Sequence, residues 1–154
     1  MGKSTLVARL NKELKKHSLP PGRVVLERPA LIVGGHVRAP LDFAFGHGDQ
    51  SVQITQAWSF QRGTVDEVAT EVKAWGYALR RVQDGDNARI QGRHTSLVLG
   101  DKVPVEVLLA EPRTPHQQEV FEEAVEVFEE LGVVRYGEDD APSLVNHVAE
   151  LMAA

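Results

Sequence analysis

Residues 41–60 read LDFAFGHGDQSVQITQAWSF, and their alternation decides the fold. Leu41, Phe43 and Phe45 alternate with Asp42 and Ala44, and Val52, Ile54, Trp58 and Phe60 alternate with Gln53, Thr55, Ala57 and Ser59. Side chains of a strand point to opposite faces in turn, so each run predicts a strand with one apolar face. The glycines of GHGDQ allow a tight connection, which predicts an antiparallel hairpin carrying Asp42, Gln53 and Thr55 together on a solvated polar face.

Upstream, Leu6, Val7, Leu10 and Leu14 recur at helical spacing between Ser4 and His17, where Ser4 and Thr5 are placed to cap a first helix that SLPPG ends. RVVLERPALIVGG is rich in β-branched residues and predicts one long edge strand, or two short ones divided by Pro29. Downstream, Thr64 with Glu67 has the pattern of a capping box, and Val65, Val68, Ala69, Val72, Trp75, Leu79 and Val82 form an apolar helical stripe. A polar loop, QDGDNARIQGR, leads to SLVLG and VPVEVLLA, which read as a second hairpin turning at Gly100 and Asp101, with Pro104 marking an edge. Thr114, Pro115 and Gln117 start another helix that Gly132 ends; VVRY suits a short strand, and Leu144, Val145, Val148, Leu151 and Met152 a final helix.

These elements predict a single domain over residues 1–154 of the α+β class. Its mixed, largely antiparallel sheet is flanked by helices, sandwich-like, in the order α-β-β-β-α-β-β-α-(β)-α. With 154 residues, 42% of them hydrophobic, the chain can build one packed core. It has no apolar run of membrane-spanning length, no signal-peptide hydrophobic stretch and no cysteine, so the expectation is a cytoplasmic protein without disulfides or thiolate metal sites.

The net charge of −5 conceals a gradient. Residues 1–40 hold eight Lys and Arg against two Glu (+6), residues 41–110 seven against nine acids (−2), and residues 111–154 two against eleven (−9). Lys3, Arg9, Lys12, Lys15 and Lys16 on the first helix could neutralise nucleic-acid phosphates, without the aromatics that stacking on single strands requires. Glu119, Glu122, Glu123, Glu126, Glu129 and Glu130 form the outer face of the helix begun at Thr114, a surface for a basic protein partner or simply for solubility.

The succession of helix, three strands, helix and strand over roughly residues 4–100 resembles the core of the PD-(D/E)XK, or restriction-endonuclease-like, superfamily. The resemblance rests on topology and on Pro40, Leu41 and Asp42 followed by Gln53, Ile54 and Thr55, which stand where that family has an acid and then Glu-x-Lys. It implies a nuclease fold whose acids hold a divalent metal and position water. Glu13 matches an acid that some members carry on the first helix, and Lys73 could stand in for a migrated lysine. A neutral Gln53 and an uncharged Thr55 depart from the pattern, because neither supplies the anionic ligand or the cation.

Other motifs imply less. GKSTLVARL at the start resembles the end of a phosphate-binding loop but lacks the preceding strand and first glycine. The six histidines have no metal-ligand spacing; His47 and Asp49 share a turn, and His36, His94, His116 and His147 are scattered. No metal site is expected. Three functions stay open at this point. The first is a non-catalytic binding or regulatory module that needs no cofactor and contacts another protein or nucleic acid, not a membrane. The second is a magnesium-dependent nuclease acting on DNA through Asp42, Gln53, Glu13 and Lys73. The third is a structural or homo-oligomer-forming subunit whose oppositely charged ends meet.

Overall fold

The computed structural model of the chain describes residues 1–154. Its spine is the ten-residue strand β5 (Gln50–Ser59), paired antiparallel with β4 (Phe43–His47), which in turn pairs antiparallel with β1 (Arg23–Glu27). On the other side β5 runs parallel to β8 (Val105–Ala110), and β8 parallel to β9 (Val134–Gly137). Parallel neighbours need crossover helices. α2 (Val65–Gln83) follows β5, and α3 (Pro115–Leu131) links β8 to β9.

This part of the sheet is covered on both faces, so the domain has three layers. α2 and α3 pack on one face over a core containing Ile54, Trp58, Trp75, Val107 and Phe128. α1 (Lys3–Leu14) and α4 (Ala141–Ala153) pack on the other over Phe43, Phe45, Ala57, Leu108 and Val148. Edge-to-face contacts hold the first layer: Trp75 stands 6.0 Å from Trp58 and 6.1 Å from Phe128, ring centre to ring centre. The nine-stranded sheet continues past β5 as an antiparallel extension of β7 (Ser96–Val98), β6 (Ala88–Gln91), β2 (Ala30–Val33) and β3 (Val37–Pro40), joined through the pair Gln50 and Val98. Its Leu31, Val33, Ile90 and Leu97 enter the α2 side of the core.

The class, the mixed sheet and the order of helices and strand blocks agree with the sequence reading, each strand block being divided more finely. Details differ. The hairpin of β4 and β5 forms, but Phe43 pairs with Thr55 and Phe45 with Gln53, so Gln53 and Thr55 share a face with the phenylalanines. A bulge beside Gly46 shifts the register, and α1 and α4 bury the face expected in water: Gln53 is 0% and Thr55 1% exposed. The expected second hairpin does not exist. β7 pairs with β6, which lies inside the presumed polar loop, and β8 is a central strand, because Pro104 precedes its first paired residue.

Caps divide the same way. At α3 the Thr114 hydroxyl accepts the Gln117 N–H, Gln117 Oε1 accepts the Thr114 N–H, and Gly132 closes the helix in the left-handed region at φ 67°. At α2 Thr64 holds the N-cap position without a side-chain bond. α1 is capped by Gly2, with Ser4 and Thr5 inside the helix. No helix is long and apolar enough to cross a membrane.

Candidate functional site at the Asp42 cleft

β4 pairs with β5 as far as Phe43, and beyond it side chains continue the ladder. Gln56 Oε1 accepts the Asp42 N–H at 2.9 Å, while Asp42 Oδ2 accepts the Ala57 N–H at 2.8 Å. Lys3, at the first turn of α1, brings its ammonium to 3.2 Å from the same Oδ2 and 4.6 Å from the centre of the Trp58 ring. The half-buried Asp42 carboxylate therefore has two partners, the β5 amide of Ala57 and the tryptophan-bound lysine at the start of α1.

Outside this pair opens a cleft of about 410 Å³, lined by Lys3, Ser4, Asn11, Glu27, Arg28 and Asp42 among others. Glu27 ends β1 opposite Phe43, and Arg28 follows it in the left-handed region at φ 51°, where its N–H bonds the Asp42 carbonyl at 2.8 Å. Two carboxylates, an ammonium and a guanidinium thus face one concavity. Sequence reading named Asp42 and Lys3 but missed Glu27 and Arg28. The Glu-Arg-Pro break in an apolar run was their only signal.

Magnesium, which the nuclease resemblance implies, does not fit these residues. It requires several oxygen ligands, and no three His, Asp or Glu side chains of the chain are grouped so that they could hold a metal ion. Asp42 Oδ2 already serves an amide and an ammonium.

The other residues assigned to a nuclease site are not gathered at the cleft. Gln53 lies under α1 and α4, where Thr55 Oγ1 donates to Gln53 Oε1 at 2.7 Å and Gln53 Nε2 donates to Glu106 Oε2 at 2.6 Å. Glu13 pairs with Lys16, in the turn just past the end of α1, at 2.9 Å. Lys73 lies on the far side of the sheet, on the exposed surface of α2, 3.9 Å from Glu123 of α3.

Glu106, fully buried, is the centre of a polar network that sequence reading did not find. Besides Gln53, its Oε1 accepts the Tyr136 hydroxyl at 2.9 Å and lies 2.7 Å from His147 Nδ1. Burial, with the Glu106 bond and the nearby charges of Glu106 and Glu150, pushes the Tyr136 phenol up to about 12. The lone acid in VPVEVLLA was the available signal, since a central parallel strand is apolar on both faces unless a charge has partners.

The two charged helix faces differ in how freely they stand. Along α1 and the turn that follows it, Lys3 binds Asp42, Arg9 binds the Glu138 carbonyl and Asp139, and Lys16 binds Glu13, leaving Lys12 and Lys15 outside any ion pair. On α3, Glu119, Glu122, Glu123, Glu126, Glu129 and Glu130 are all exposed, the first beside His116 at 3.8 Å. No protein-family model and no curated protein matches the chain.

Proposed function

We propose that this chain is a non-catalytic binding module that acts by charged contact with another macromolecule, on a scaffold of nuclease-like ancestry. The observation that carries the reading is the double engagement of Asp42 Oδ2 by the Ala57 N–H and the Lys3 ammonium. A carboxylate so held serves as a structural fastener, and Gln53, its expected companion, is sealed beneath α1 and α4 against Glu106. Activation of water for phosphodiester attack needs a cation held by several anionic oxygens, and the cleft offers too few. The reading requires no cofactor.

One observation favours a second reading. The cleft is concave, lined by both Glu27 and Asp42, with Lys3 paired to Asp42, an arrangement that a phosphoryl-transfer enzyme could use. Incubation of the chain with supercoiled plasmid in magnesium or manganese decides between the two. The binding module leaves the plasmid intact. Nicking that disappears in Asp42→Ala, Glu27→Gln and Lys3→Met would establish the enzyme instead.

A further inference from the structure

The sheet extension of β3, β2, β6 and β7 buries one face and leaves the other uncovered. Outward-pointing residues alternate along each strand: Arg38 and Pro40 on β3, Ala30 and Ile32 on β2, Arg89 and Gln91 on β6, Ser96 and Val98 on β7. No acid is among them. Register places Arg38, Ile32, Arg89 and Val98 side by side across the four strands. Ile32 belongs to neither core cluster yet is only 4% exposed. Register sets it between Arg38 and Arg89, whose long side chains stand on the same face.

These groups are uncommitted. Arg38 and Arg89, with Arg93 in the β6–β7 turn, are exposed and enter no ion pair, although the chain has eleven such pairs elsewhere. Strand spacing sets the Arg38 and Arg89 backbones roughly 10 Å apart, and the long side chains let the two forks reach separate anions.

From this face we infer a docking surface for the phosphate backbone of duplex nucleic acid. It rests on the reading of the chain as a contact-making module and names both partner and surface. Guanidinium forks match phosphate oxygens two at a time, and the Ser96 hydroxyl, with the second N–H of the Gln91 amide whose Nε2 also donates to the Gly92 carbonyl, adds donors that position a backbone without reading bases. No aromatic stands on the face, so it lacks the stacking platform a single strand would use. The glutamates of α3 on a second copy would also attract arginine. That contact joins unlike surfaces and must close a ring or grow a filament, a condition phosphate does not impose.

Fluorescence anisotropy with a labelled duplex of about 25 base pairs, titrated at several salt concentrations, tests the surface. The wild type binds at low salt with affinity falling steeply as salt rises. Arg38→Met with Arg89→Met keeps two long apolar stems beside Ile32 and removes two charges. It lowers affinity at least tenfold and flattens the slope of log affinity against log salt by about 1.8. Arg38→Lys with Arg89→Lys retains most of the slope, which separates lost charge from lost fold. Absence of binding at low salt overturns the inference while leaving the plasmid result, and so the non-catalytic reading, standing. Binding that Lys12→Glu with Lys15→Glu removes and the methionine pair does not would move the surface to α1 and overturn it. Light scattering that shows assemblies without DNA, dissolved by the methionine pair, would assign the face to a second copy.

Discussion

Asp42 and Ala57 are joined across the end of β4 by a 2.8 Å bond from amide to carboxylate, where a backbone carbonyl would ordinarily be the acceptor. The bond lets β4 stop while β5 continues beneath α1. Asp42→Ala leaves the Ala57 N–H and the Lys3 ammonium without this acceptor, and should destabilise by about 2 kcal/mol. Urea unfolding should show that loss in the midpoint, with an unchanged slope. Asp42→Asn keeps an acceptor oxygen and should lose less.

Removing the centre of the buried network should cost more. Glu106→Ala strands the buried Gln53 amide and takes the acceptor from the half-buried Tyr136 hydroxyl, with an expected loss of about 3 kcal/mol. Glu106→Gln keeps volume but offers one accepting oxygen to donors that now serve two. An intermediate loss is expected, and melting temperatures of the two variants order them directly.

Tyr136 makes the network visible to absorbance. One phenol should ionise only as pH approaches about 12, and Tyr136→Phe should delete that step. Because the folded value lies above the ordinary 10, the linked stability is complete below pH 10 and disappears as pH rises through 12. Stability that rises over that interval would contradict the assignment.

A surface pair gives an independent pH signature. His116 Nε2 lies 3.0 Å from Asp66 Oδ2, and the bond to Asp66, its charge and that of Glu119 together raise the imidazole above 6.5. The stabilising ion pair is complete below that ordinary value and is lost as pH climbs through the raised one. Proton NMR titration of His116 should report a midpoint above 6.5 that falls in Asp66→Asn.

Close approach of α2 and α3 accounts for a glycine in mid-helix. A methyl at Gly76 would sit 2.6 Å from Val127 Cγ1, and valine cannot readily turn away in a helix. Gly76→Ala, which would add about 1 kcal/mol in an open helix, should instead destabilise by roughly that amount. Adding Val127→Ala should reverse the sign.

Short-range chemistry explains what was legible in the sequence. The α3 cap is written in four residues, Thr114 to Gln117, and the apolar stripe of α2 recurs along the whole helix, so both could be read without tertiary knowledge. β6 and β7 could not, because Ala88–Gln91 and Ser96–Val98 are short and acquire meaning only against β2 and each other. The alternation of β5 was read correctly as a strand and incorrectly as half-wet. Whether a polar row faces water or another layer depends on α1 and α4, which lie far away in sequence. For the site, Asp42 and Lys3 were visible as single charges, while their meeting, and that of Glu106 with His147, are products of the packing.

The charge enclosed on β8 also acts as a key cut for one lock. Sliding β5 by a single residue along β8 would turn Gln53 and Thr55 toward Trp75 and take from Glu106 the Gln53 amide that now satisfies it, a mismatch larger than any misfit among leucines and valines. An interior of pure hydrocarbon would tolerate several alignments of the two strands; this one admits a single answer.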